Sequence, residues 1–161
     1  MMMMMKKASF ILSSLIFSVV SLSAMAQTVF DKNFSGIQQE QHADGKPKYE
    51  VHVIKGKKQG LEKFWYANGN LHIQTNYIDD QEDGVWQQWY ASGKPKLEAN
   101  YQQGREHGSF TQWYENGQMR LQSHFVAGKK TGSETAWNQD GSIKYISTYV
   151  DGQEVKSQVV K

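Results

Sequence analysis

Apolar and polar side chains alternate one by one along Lys96-Leu97-Glu98-Ala99-Asn100-Tyr101, the period of a strand with one buried face and not that of a helix. Gln102 to His107, centred on Gly104, reads as a turn, and Gly108 to Tyr114 is a second run rich in aromatic residues. Asn116-Gly117 then supplies the strongest two-residue hairpin signal in the chain. The pattern repeats every 24 residues: Gly45, Gly69, Gly93, Gly117 and Gly141 share one column, and Gly60, Gly84, Gly108 and Gly132 another. Trp65, Trp89, Trp113 and Trp137 form a third column, Tyr66, Tyr90 and Tyr114 a fourth, and Tyr77, Tyr101, Phe125 and Tyr149 a fifth. A fixed beat of this length predicts a stacked, quasi-one-dimensional architecture. Here it is an all-β, elongated, twisted single antiparallel sheet of consecutive hairpins.

A two-residue turn at Asn116-Gly117 would set Tyr114 opposite Met119, Trp113 opposite Arg120 and Phe110 opposite Ser123. Leu97, Tyr101, Phe110, Tyr114, Met119, Leu121 and Phe125 then share the expected buried face, with Phe125 covering Gly108 across the ladder. The other face carries Trp65 beside His72, Trp89 beside Lys96, Trp113 beside Arg120 and Trp137 beside Lys144. That ladder either only stabilises the sheet or forms a ligand-binding stripe, its units about 10 Å apart at two strand spacings each. A three-residue loop with a bulge would reverse the parity, so the register stays open.

Residues 1–26 read as a secretory signal: Lys6-Lys7, an apolar run from Phe10 to Leu22, and Ala24-Met25-Ala26 before an expected mature start at Gln27. A retained anchor is the alternative, and Met1 to Met5 leave the start codon open. Residues 27–43, with Val29, Phe30, Phe34 and Ile37, are off-beat and read as an N-terminal cap. The array spans 44–161: units Gly45 to Asn70, Leu71 to Lys94, Pro95 to Gln118 and Met119 to Ser142, then a truncated fifth from Ile143. The chain holds 18 basic and 16 acidic residues, and loss of Lys6 and Lys7 with the leader leaves 16 of each. A neutral chain lacks the basic excess of a nucleic-acid binder. With no cysteine it has neither a disulfide framework nor a site for lipoprotein acylation, so a periplasmic or secreted protein is expected.

In a repeat array, catalytic residues would be departures from the pattern. Of the five histidines, His52 and His124 share a column but lie three units apart, about 29 Å at six strand spacings, too far for one metal. Asp79 to Asp83 lacks the ligand spacing and central glycine of a calcium loop and reads as a solvated acidic turn. Gly128 to Gly132 lacks the full phosphate-loop pattern and reads as a hairpin turn. No catalytic residue, metal site or cofactor is expected.

Tyr101-x2-Gly104-Arg105-Glu106-His107-Gly108, followed by Trp113-Tyr114-Glu115-Asn116-Gly117-Gln118, resembles the MORN repeat, nearest to the bacterial variant of YwqK-type proteins. The resemblance covers Asp44 to about Asp151. Asp80 replaces a turn glycine, Asn138 the tyrosine and Thr131 the His107 equivalent. It implies a twisted sheet of hairpins, protein association, and an antitoxin or immunity-like role with a toxin or effector as partner. The expected function is therefore a non-enzymatic, exported protein–protein interaction module. The alternative is a cell-envelope binder of anionic lipid headgroups or polysaccharide acting through His72, Lys96, Arg120 and Lys144.

Overall fold

The computed structural model describes residues 30–160, so the leader expected over residues 1–26 and Val29 of the expected cap lie outside the described residues. Twelve strands follow one another: β1 (Gly36–Gln41), β2 (Pro47–Ile54), β3 (Lys57–Trp65), β4 (Leu71–Ile78), β5 (Gln81–Glu82), β6 (Gly84–Trp89), β7 (Pro95–Gln102), β8 (Arg105–Trp113), β9 (Met119–Val126), β10 (Lys129–Trp137), β11 (Ile143–Val150) and β12 (Gln153–Val159). They form one antiparallel sheet in chain order, with the two-residue β5 pairing β4 beside the main path. β5 and β6 together match the uninterrupted β8 of the next unit. Asp83 breaks them apart, its N–H donating to the Asn76 carbonyl at 2.9 Å while Asn76 Nδ2 donates to its carbonyl at 2.8 Å.

The two ends of the hairpins use different chemistry. At one end the turns are two residues long, and both central residues have positive φ, as in Gln103 (50°) with Gly104 (73°) and Ala127 (49°) with Gly128 (81°). This geometry matches the right-handed twist of the flanking strands. Asp79 (49°) and Asp80 (68°) adopt it without a glycine.

At the other end the expected two-residue Asn-Gly turn does not form. Gly117 N–H donates to Tyr114 O and Tyr114 N–H to Gln118 O, both at 2.9 Å, which defines a three-residue loop. Only the glycine has positive φ, 90°. Asn116 serves another purpose: its Oδ1 accepts the Gln118 N–H at 3.0 Å, and Asn68 and Asp140 do the same for Asn70 and Ser142.

This loop shifts the register by one residue, so Trp113 faces Met119 and not Arg120. A one-residue bulge between Gln112 and Trp113 shifts it back. Gln112 then faces Leu121, Phe110 faces Ser123 and Gly108 faces Phe125, as the expected parity requires. The extra residue is Arg120, and the same count leaves Lys48, His72, Lys96 and Lys144 as the extra residues of their strands.

A second irregularity sits at the column glycines. Val51 and Val53, two apart on β2, face Glu62 and Lys58, four apart on β3, with Gly60 (φ 78°) folding the excess chain between them. Ala99 and Tyr101 face Phe110 and Glu106 across Gly108 (φ 101°) in the same way. These glycines thus both carry the bulge and lie opposite an aromatic on the following strand. Gly60 faces Tyr77, Gly84 faces Tyr101 and Gly132 faces Tyr149.

One face of the sheet is apolar along its middle. Ile73, Trp86, Ala99, Phe110 and Phe125 are buried together, flanked by Phe64, Leu97, Tyr101 and Leu121. Met119, expected there, is 40% exposed because the loop register moves it beyond the bulge. A second cluster of Tyr49, Val51 and Val53 is covered by Phe30 and Phe34, whose rings stack at 6.1 Å. Ile37, grouped with these two in the sequence reading, lies on β1 and is 51% exposed. Burying a large aliphatic or aromatic side chain contributes about 1.5–3 kcal/mol, and these clusters stand in for the second layer that a single sheet lacks.

Candidate functional site

The expected pairing of each tryptophan with a base does not occur. Trp65 faces Leu71, Trp89 faces Pro95, Trp113 faces Met119 and Trp137 faces Ile143. The cause is the bulge, which takes His72, Lys96, Arg120 and Lys144 out of direct opposition.

Three of the four bases turn to the tyrosine of their own hairpin. His72 stacks on Tyr66 with centroids 4.1 Å apart, Lys96 Nζ lies 5.7 Å from the Tyr90 ring centre, and the Arg120 guanidinium lies 5.7 Å from that of Tyr114. The fourth unit has Asn138 in place of the ring, so Lys144 has no tyrosine to lie on. The tyrosines do a second job. Tyr66, Tyr90 and Tyr114 each donate their O–H to the carbonyl of the next unit's tryptophan, Trp89 (2.9 Å), Trp113 (2.7 Å) and Trp137 (2.9 Å). His42 occupies the same column one unit earlier, its Nε2 3.0 Å from Trp65 O.

The opposite tips are stitched by the backbone. Gly104 N–H donates to Glu82 O, Gly128 N–H to Glu106 O and Gly152 N–H to Lys130 O, at 2.8–2.9 Å. Both edges thus lock each unit to its neighbour, and the candidate residues form one row at fixed spacing. Lys48 pairs with Glu40 at 2.8 Å. Among the described residues, none of His72, Lys96, Arg120 and Lys144 is in an ion pair. Burial, and then the Lys96 charge, hold His72 below the usual histidine range.

The apolar face holds a charged column that sequence reasoning missed. Trp86 and Phe110 occupy the middle units, and Glu62 and Glu134, 4% and 3% exposed, stand at the same position toward the ends. Glu62 accepts from Tyr49 O–H (2.8 Å) and Lys58 Nζ (2.6 Å). Glu134 accepts from Ser123 Oγ (2.7 Å), Tyr145 O–H (3.1 Å) and Lys130 Nζ. Lys58 and Lys130 lie over Tyr77 and Tyr149 at 4.7 and 4.6 Å. Burial, then Glu134, push the Tyr145 phenol up to about 12. The lysine column reads Lys58, Glu82, Glu106, Lys130, and burial raises both central carboxyls above the ordinary range. The sequence signal was available: a Lys–Glu pair spanning the bulge glycine, with glutamate in the Phe110 column.

Of the acidic turn, expected to be solvated, Asp79 and Asp80 are exposed while Glu82 and Asp83 are half-buried, and the exposed pair also has structural contacts. Asp80 Oδ1 accepts the Lys58 N–H at 2.7 Å and Asp79 Oδ1 accepts from Gln59 Nε2 at 3.1 Å. Among the described residues, no group of three or more histidine, aspartate or glutamate side chains could hold a metal ion.

Residues 58–79, 82–103 and 106–127 match the family described as MORN repeat variant. These three segments are MORN-type repeats. Repeats of this kind are in general non-catalytic binding modules, which suggests a repeat-based binding module. The matched segments begin within β3 and run from one bulged second strand to the next unit's two-residue turn. No curated protein matches the chain. A solved structure titled "Crystal structure of GtfA/B complex bound to UDP and GlcNAc" is similar over 71% of this chain and 24% of that one. Its identity is 15% and its TM-score 0.29, a likeness that carries no argument, and this chain spans about a quarter of its length.

Proposed function

We propose that this chain is a non-enzymatic, exported interaction module that presents the Tyr–base row and the flanking tryptophans to another protein. What supports the reading is the in-phase stitching of tyrosine and tryptophan through three consecutive MORN-type repeats. Repetition of this kind creates an extended, preorganised surface. Export is supported by the composition of residues 1–26. An immunity-like role, in which the sheet occludes a toxin, is the form implied by the resemblance alone.

The test is co-purification of the tagged chain from its own cells. A stoichiometric protein partner is expected, lost when Trp89→Ala and Trp113→Ala are combined in a chain whose far-ultraviolet dichroism is unchanged. Absence of a partner, or its retention by the folded double variant, contradicts the reading. A second reading, binding of anionic headgroups or polysaccharide in the envelope, is favoured by Lys96, Arg120 and Lys144, which are in no ion pair among the described residues. It predicts salt-sensitive pelleting with anionic vesicles or cell-wall material.

A further inference from the structure

We propose that the row recognises an extended polyproline-type segment carrying an acidic residue at every third position. This rests on the protein-association reading and names the chemistry of the partner for that same surface.

Four observations converge. First, one residue in each unit is expelled from the ladder by the loop-and-bulge pair, and in these units it is always basic: Lys48, His72, Lys96, Arg120, Lys144. A structural bulge needs no cation, and structure alone does not call for a lysine or arginine at four of the five, with a histidine held below its usual range at the other. Second, the last four are unpaired among the described residues, so an incoming carboxylate does not have to displace an internal one. Third, Tyr66, Tyr90 and Tyr114 support three of the bases, and their hydroxyls are fixed on the next unit's backbone. Little ordering cost remains at binding. Fourth, Trp65, Trp89, Trp113 and Trp137, each next in sequence to the tyrosine column, are half-buried and not sealed in the core, and aromatic-lined surfaces dock proline-rich segments.

Spacing selects the conformation of the partner. Successive units lie two strand spacings apart, about 9.5 Å. A polyproline helix advances about 9.3 Å per three-residue turn, so every third side chain meets one base. An extended β-strand repeats one face every 6.6–6.8 Å, roughly, and falls out of step at the first unit. Two turns of α-helix advance about 10.5 Å per seven residues, drifting by roughly 1 Å per unit. Strands also rotate by roughly 20–25° each, so the row winds, and a chain without internal hydrogen bonds follows a winding track more readily than an α-helix does.

The experiment is a calorimetric titration of the full chain with a blocked (Glu-Pro-Pro)5 peptide. Its comparators are a peptide of the same composition with the glutamates clustered and an oligouronate of equal charge. The regular peptide is expected to bind at least tenfold tighter than the clustered one. Lys96→Gln with Arg120→Gln should weaken it at least tenfold, with thermal unfolding of the variant unchanged. Equal affinity for the regular and clustered peptides, or an unaffected folded double variant, overturns the proposal. Stronger binding of the oligouronate also overturns it, in favour of an acidic glycan. If a Trp89- and Trp113-dependent protein partner co-purifies while the regular peptide fails, protein association stands and this inference alone falls.

Discussion

At the residue scale, two kinds of side chain hold the units in place, and they differ in what their loss costs. The Tyr90 hydroxyl makes one hydrogen bond, to Trp113 O. Tyr90→Phe should therefore cost about 0.5–1.5 kcal/mol by urea denaturation, and an unchanged midpoint would show that the stitch is ornamental. Glu62 is different, because it is buried and is paired with Lys58 across the bulge. Glu62→Ala leaves the half-buried Lys58 without its partner, and the loss should approach, from below, the roughly 3–5 kcal/mol of breaking a fully buried pair, read by urea denaturation. The central carboxyls carry the opposite sign. Burial raises Glu106 above the ordinary carboxyl range, with Lys130 opposing it, so the fold favours its protonated form. Its contribution is present at low pH and is lost as pH rises through its raised value. Glu106→Gln should accordingly stabilise the chain at pH 7, with the gain shrinking as pH falls through the carboxyl range. A gain that persists unchanged in acid would contradict that assignment.

At the element scale, the hairpin is governed by its glycines, and they are not equivalent. A Cβ on Gly56 would sit 2.7 Å from Lys32 Cα and 2.8 Å from Asp31 O, whereas one on Gly104 would meet nothing closer than 4.0 Å. Both have positive φ, 75° and 73°, so each alanine substitution carries about 1–2 kcal/mol of backbone cost. Gly56→Ala should cost more than Gly104→Ala, because it also displaces the segment that brings Phe30 and Phe34 onto the cluster of Tyr49, Val51 and Val53. Equal losses in thermal unfolding would refute the close approach.

The same glycines explain what could be read in advance. Glycine and aromatic columns separate strands from turns, and alternation from Lys96 to Tyr101 assigns faces, because both signals are local. The candidate site was legible as residues but not as partners. Asn116-Gly117 is compatible with two loop lengths. The choice depends on whether the asparagine takes positive φ or caps the amide two residues on, which is decided by the strands around it. One extra residue in the loop moved His72, Lys96 and Arg120 from tryptophan to tyrosine. The buried glutamates were hidden by averaging over units, since Phe110 in one unit made its column look apolar throughout.

At the scale of the whole molecule, a single sheet has no second layer, and it stays ordered because each unit is fastened at both tips and along the buried column. Such an array should behave as a sum of units and their interfaces. The row of bases then lengthens or shortens with the number of units, and binding follows it in steps. The most direct measurement is equilibrium urea unfolding of a chain lacking residues 95–118, one whole beat, which brings Trp89 and its loop onto Met119 in the register that Trp113 held. Continued cooperative unfolding is expected, with a lower midpoint and an m-value reduced in proportion to the surface removed. A chain that no longer folds, or whose m-value is unchanged, would contradict the account of this protein as a ladder of interchangeable, doubly stitched hairpins.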